Sequence, residues 1–169
     1  DEMSKNFREL VPYLGCDNDD FIRTTEKKHK NAAQSLWNKL KSNNQIYLSN
    51  YEGWYSIRDE AFYQESELTK TENRFVAPSG APVEWVKEES YFFKLSKWQK
   101  PLLDFYDKHK DFVKPHTRYN EVIKFVERGL DDLSISRTSF EWGIKVPNDP
   151  KHIVYVWLDA LLNYISVLG

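Results

Sequence analysis

Trp157, Ala160, Leu161 and Tyr164 stand at i, i+3, i+4 and i+7, the spacing that puts four side chains on one face of a helix. The small Ala160 leaves room between the two large rings. On spacing alone, such an aromatic stripe is ordinarily core packing. Arg137 is the second group of interest, because it follows a short run at 133–136 that reads as a strand, and ligands in open α/β sheets bind at the carboxyl ends of strands. Its plain alternative role is to pair with Asp131 or Asp132. No glycine-rich phosphate loop occurs, and the solitary Cys16 has no plausible positioned base to make it a nucleophile.

Periodicity indicates the elements that must position these groups. Residues 1 to 45 read as helical: Met3, Phe7, Leu10, Val11 and Leu14 recur at helical spacing until Pro12 and Gly15 interrupt them. A longer helix follows, with Thr25 as its cap, Glu26 suited to the N-terminal dipole, and Ala33, Leu36, Trp37 and Leu40 as its apolar stripe. From Ile46 the pattern changes to aromatic and β-branched runs at 46–51 and 54–57, separated by Gly53, then Phe62 and Tyr63. Pro78, Gly80 and Pro82 mark a turn before Val83, Trp85, Tyr91, Phe93 and Leu95 alternate along another extended segment. Residues 47 to 95 therefore form a β-rich lobe. Ser96 with Gln99 fits a capping box leading into a helix. Residues 120–128 read as a second helix with Val122, Phe125 and Val126 inward, stopped by Gly129 in the left-handed cap position. The segment 153–168 is so nearly apolar throughout that it is expected to form one buried helix.

With 169 residues and 40% hydrophobic content the chain can bury one substantial core, and an aromatic share of 15% favours packed structure despite 30% charged residues. A formal charge of -2 gives the chain as a whole no electrostatic grip on a polyanion, so any nucleic-acid contact must be local. Two basic clusters, Lys27 to Lys30 with His29 inside it, and Lys108, His109, Lys110, Lys114, His116 and Arg118, are the candidates, each also readable as a solvated face. One cysteine leaves no internal disulfide partner and suits a reducing compartment. No stretch approaches the roughly 18 apolar residues of a membrane span, and no charged leader precedes an apolar run. Neither membrane insertion nor a targeting signal is expected. The start at Asp1 rather than Met also fits a trimmed piece of something longer.

Five phrases in order along the chain, DDFIRTTEKKHK at 19–30, YEGWYSIRDEAFY at 51–63, PVEWVKEESYFFKL at 82–95, RYNEVIKFVERGLDDLSISR at 118–137 and YVWLDALLNY at 155–164, resemble methionyl-tRNA synthetases of bacterial type, which are class I aminoacyl-tRNA synthetases. The resemblance implies an α/β fold in which Rossmann-like catalytic segments flank a small β-rich connective-peptide insertion. Residues 1–47 would belong to the first half of that catalytic fold, 48–118 to the insertion, and 119–169 to the start of the second half. It further implies a ligase that activates methionine with ATP and Mg2+ to methionyl-adenylate and transfers it to tRNA(Met). Trp157, Ala160, Leu161 and Tyr164 would line the methionine pocket, where soft sulfur sits well against aromatic faces and edges, and the Tyr164 hydroxyl could serve as a polar handle. Arg137 would steady charge on the α-phosphate during activation.

Two departures from the family pattern qualify these expectations. Many members hold a structural zinc in the insertion through paired C-x-x-C thiols, whereas the matching positions here are Ser56, Asp59, Val76 and Ser79, so no structural zinc is expected and packing by Trp54, Tyr55, Phe62, Phe75 and Trp85 must replace it. The HIGH-type and KMSKS-type ATP-binding strings are also absent, so the segment alone is expected to be inactive. Two other readings compete: a stand-alone tRNA-contact or interaction module, and a class I synthetase for another hydrophobic amino acid. The expected location is the cytoplasm of a bacterium, or an organellar matrix in a eukaryote.

Overall fold

A computed structural model describes residues 2–59, 61–71, 74–139 and 141–168, with only the backbone of Tyr51. Helix α1 (Glu2–Tyr13) is amphipathic, but among the described residues it buries none of its side chains, and Met3 and Phe7 face solvent. Helix α2 (Lys27–Ser42) carries the expected stripe: Ala33 and Trp37 are buried, with Leu36 and Leu40 packed against the same cluster. Its cap differs from expectation. Glu26 occupies the N-cap without a side-chain hydrogen bond, so Thr25 lies one residue too early to serve.

The β-rich lobe forms as periodicity predicts. Strand β1 (Ile46–Ser56) is followed by β2 (Ala61–Tyr63), β3 (Thr69–Lys70), β4 (Phe75–Val76) and β5 (Glu84–Phe93). β1 and β5 pair antiparallel from Ile46↔Phe93 to Tyr55↔Glu84, and Gly53 stays inside this ladder opposite Val86 instead of separating two strands. A small second core of Ala77, Ala81 and Val83 gathers Trp54, Tyr63, Leu68 and Phe75 around it. The aromatic residues expected to hold the lobe do meet: Trp54 contacts Phe75 at 4.8 Å and Trp85 at 5.5 Å between ring centroids, and Tyr55 contacts Phe62 at 4.7 Å.

Helix α3 (Gln99–Lys108) starts after a tight turn at Leu95–Trp98, and the expected capping box is absent: Ser96 gives its hydroxyl and backbone N–H to Asp132 instead. Helix α4 (His116–Glu127) begins a turn earlier than predicted, directly after Pro115, whose fixed φ of -71° suits a helix start. Its Val126 is buried and Val122 half-buried, as expected, whereas Phe125 points to solvent. Gly129 ends it at a φ of 104°, as a left-handed stop requires.

Beyond α4 the chain makes β6 (Leu133–Ser134), β7 (Ser136–Arg137), β8 (Lys145–Val146) and β9 (Asp149–Val154), then α5 (Val156–Leu161) and α6 (Asn163–Ser166). One sheet runs β2-β1-β5-β6 and another β7-β9-β8, so Ile135 passes the chain from the lobe sheet to the second sheet. Every described pairing is antiparallel. The parallel Rossmann-like sheet implied by the resemblance is therefore not among the described residues. The connections explain this: β8 turns into β9 through Pro147 and Asn148 alone, whereas a parallel pair needs a crossover of about a dozen residues or more.

The expected single buried helix over 153–168 is corrected in two ways. Ile153 and Val154 are strand, paired with Lys145, Arg137 and Ser136, because β-branched residues fit a buried ladder. After them the chain forms two short helices that meet at Leu162, and these expose much of their apolar surface. The main core collects Ala33, Trp37, Ile46, Tyr91, Ile135, Ile144, Val146, Val154 and Leu162, with Trp37 fully enclosed and edge-to-face on Tyr91 at 5.2 Å. Among the described residues no helix is long and apolar enough to cross a membrane.

Candidate functional site

Arg137 is 6% exposed, on a β7 strand too short to hold it by backbone pairing alone. Its Nη1 donates to Ser134 Oγ at 2.5 Å and to the Ser136 carbonyl at 2.8 Å, and its Cζ lies 4.0 Å from the Tyr155 ring centroid and 5.4 Å from that of Phe62. Aromatic faces attract a flat guanidinium through cation–π contact, which helps to orient it. Arg137 forms part of the wall of a cavity of about 530 Å³, which Trp142, Ile153, Tyr155, Val156 and Asp159 also line. Gly143 lines it too and packs so closely on Ile153 that a Cβ there would collide with it. Of the two alternative partners, Asp131 is exposed and Asp132 is occupied elsewhere: it accepts from Tyr47 at 2.9 Å and from Ser96, and these bonds hold its carboxyl below the usual range, Ser96 contributing most.

A polar network missed by sequence reasoning supports Arg137. Ser90 Oγ donates to the Ser136 carbonyl at 2.8 Å and meets Ser134 Oγ at 2.6 Å. Ser136 Oγ accepts from the Tyr91 N–H and lies 3.0 Å from Nδ1 of the buried His152. Glu88, from β5, accepts through one oxygen from the backbone N–H groups of Thr138 and Ser139 and from the Thr138 hydroxyl, so the chain just past Arg137 is pinned to the lobe. In sequence Glu88 looks like one more solvated charge in a strand. Only the register that turns it inward beside residue 138 shows its task.

Trp157, Leu161 and Tyr164 are 61%, 60% and 79% exposed, whereas Ala160 is half-buried, and the stripe expected on one helix is divided, with Tyr164 on α6 and the other three on α5. Core packing within the described chain is not what the stripe does. Nor does it join the Arg137 cavity, whose described lining includes none of the four. The two predicted groups stand at opposite ends of one short connection, β7 to β9 to α5, with Tyr155 and Val156 between them.

Three of the four positions matched to a zinc knuckle, Ser56, Asp59 and Ser79, come together through hydrogen bonds. Asp59 accepts from the Ser79 hydroxyl and, at 3.0 Å, from Tyr63, while the Asp59 N–H donates to Ser56 Oγ at 3.2 Å. These bonds, Ser79's first, hold the Asp59 carboxyl below its usual range. Val76 stays apart from this polar set and pairs with Thr69 and Pro82. Among the described residues no group of three or more His, Cys, Asp or Glu side chains gathers to hold a metal.

The family model described as "tRNA synthetases class I (M)" matches residues 1–72 and 67–169. This chain belongs to that family. The class I synthetase fold accounts for the mixed helix and sheet arrangement, and a solved structure, the methionyl-tRNA synthetase of Mycobacterium tuberculosis in complex with methionyl-adenylate, superposes with a TM-score of 0.85 and 48% identity, over 96% of this chain and 32% of that one. Relatives in this class I family include the methionine-tRNA ligase of Rickettsia typhi, 63% identical over all 169 residues, which are 33% of its length. That of Rhizobium meliloti is 52% identical over 167 residues, 98% of this chain and 32% of the relative. The chain thus spans about a third of the length of the curated relatives it matches.

Proposed function

We propose that this chain is the central part of a methionine-tRNA ligase that activates methionine with ATP to methionyl-adenylate and then charges tRNA(Met). The observation that carries the reading is the likeness, along almost the whole chain, to a synthetase whose solved structure holds methionyl-adenylate. The exposed aromatic face of α5 and α6 supports it, since a face of this kind needs an occupant or further protein. A stand-alone module and a ligase for another amino acid are not favoured, because the relatives matched across the chain are methionine enzymes.

In this reading residues 1–47 and 119–169 contribute to the Rossmann-like catalytic domain, and 48–118 form the connective peptide. The long antiparallel pair of β1 and β5 supports the second assignment, although β6 adds to the same sheet from beyond residue 118. Trp157 and Tyr164 hold the thioether between aromatic surfaces, Ala160 leaves the gap, and Leu161 closes its side. Arg137 offers an oriented cation where negative charge grows on the α-phosphate while the methionine carboxylate attacks and pyrophosphate departs. Mg2+ would accompany the phosphates. The segment alone lacks the HIGH-type and KMSKS-type strings and is inactive by itself.

The test is methionine-dependent exchange of pyrophosphate into ATP by the complete ligase, against a panel of amino acids. Methionine is expected to support exchange far above leucine, isoleucine or valine, and a preference for any of those would overturn the reading.

The connective peptide holds its shape without zinc, through Asp59 and its hydroxyl partners. Treatment with a chelator leaves the thermal midpoint unchanged, and a fall would overturn this. Acid does what chelation does not. Because the folded Asp59 carboxyl is depressed, its contribution is fully present above the unfolded value of about 4 and is lost as pH falls through the lower folded value. Asp59→Ala therefore lowers the midpoint at neutral pH and flattens its acid dependence.

A further inference from the structure

His29 is completely buried, yet it lies in the run Lys27 to Lys30 that composition assigns to a solvated face. Its two ring nitrogens reach two different helices. Nε2 is 2.6 Å from Asp159 Oδ1 on α5, and Nδ1 is 3.0 Å from Ser166 Oγ on α6. A carboxylate only accepts, so the Nε2 proton is donated to Asp159, and in the neutral ring Nδ1 then accepts the Ser166 hydroxyl proton. The neighbouring Lys28 adds a third tie, from Nζ to the Val167 carbonyl at 3.1 Å, at the exit of α6.

These ties matter because of what they bridge. α5 has six residues and α6 four, lengths at which a helix has little stability of its own. At their joint the backbone ladder tightens, with Leu162 N–H shared between the Leu158 and Asp159 carbonyls and Ile165 N–H bonded to Leu162. Trp157 belongs to α5 and Tyr164 to α6. A joint of this kind can bend, and any bend changes the distance between the two rings. Leu162 is the one buried apolar anchor in the pair, and it sits at the pivot, where packing resists translation more than rotation. His29 is the buried side chain that bonds on both sides of that pivot.

We propose that His29 is a positioning residue that sets the angle between α5 and α6, and thereby the width of the slot between Trp157 and Tyr164. The proposal rests on the methionine-pocket reading of the proposed function. It gives the α2 helix an indirect part in substrate recognition. Asp159 and Ser166 act with it, one on each side of the joint.

The test uses the complete ligase and the pyrophosphate exchange assay, with wild-type activity on methionine as the control for the underlying reading. His29→Phe fills the same space and removes both bonds. It is expected to raise the KM for methionine about ten-fold or more, the loss of one hydrogen bond to a carboxylate and one to a hydroxyl, while the KM for ATP stays within about two-fold. His29→Gln, which keeps an N–H for Asp159, restores most of the methionine affinity. Ser166→Ala and Asp159→Ala, which leave the imidazole in place, shift the methionine KM in the same direction, and they serve if His29→Phe does not fold. Wild-type exchange with methionine, together with an unchanged methionine KM in these variants, would overturn the proposal and leave the function intact. So would a uniform loss of active enzyme with both KM values unchanged, since that is stability alone. Absence of methionine-dependent exchange in the wild type would instead sink the parent reading.

Discussion

Trp157→Ala in the complete ligase raises the KM for methionine by about two orders of magnitude, or about 2.7 kcal/mol, with the KM for ATP changed by less than about three-fold. The size follows from the contact being removed. A thioether against an indole gains dispersion and a sulfur-aromatic term of about 0.3–1.5 kcal/mol, and truncation also leaves a gap that an unbranched side chain cannot fill. The specificity follows from exposure. Trp157 is 61% exposed and belongs to neither described core cluster, so its loss should unfold little of this segment. Equal losses for methionine and ATP, or a lowered thermal midpoint that accounts for the activity, would make Trp157 a structural residue. Tyr164→Phe separates the ring from the hydroxyl: the ring alone should retain most of the affinity.

Arg137→Gln is expected to slow methionyl-adenylate formation by about 10²-fold with little change in the KM for methionine, the magnitude seen when one oriented donor to a developing charge is removed. Gln can still donate to Ser134 or the Ser136 carbonyl, so the buried oxygens keep a partner while the charge is lost. Arg137→Lys is the companion variant. It keeps the charge but not the flat surface that lies over Tyr155, and an intermediate rate is expected. Single-turnover measurement of adenylate formation, with the thermal midpoint as control, checks both. An unchanged exchange rate in Arg137→Gln would remove this residue from the mechanism and leave it as the centre of the serine network.

How far the sequence could be read varied with the range of the forces involved. The α2 stripe of Ala33, Leu36, Trp37 and Leu40, the β-rich lobe, and the stop at Gly129 were all legible, because each depends on periodicity or on one residue's backbone preference. Caps were less so. Thr25 and Ser96 have suitable chemistry, but Glu26 takes the N-cap of α2 and Asp132 claims the Ser96 hydroxyl, and a competitor 36 residues away is invisible to local reasoning. The segment 153–168 misled for a related reason: continuous apolar residues do not by themselves distinguish a buried strand from a buried helix, nor a covered surface from an open one.

The helical spacing of Trp157, Ala160, Leu161 and Tyr164, a short strand at Arg137, the absence of metal-binding thiols and the family resemblance were all written in the order of residues. Those properties are local or compositional, so neighbours along the chain suffice to define them. The burial of His29 against Asp159 and Ser166, the inward turn of Glu88, and the serine and aromatic cage around Arg137 were decided only when distant strands and helices packed. A polar side chain takes its role from the partner that replaces water, and here that partner is in several cases more than 40 residues away, so register and packing had to choose it.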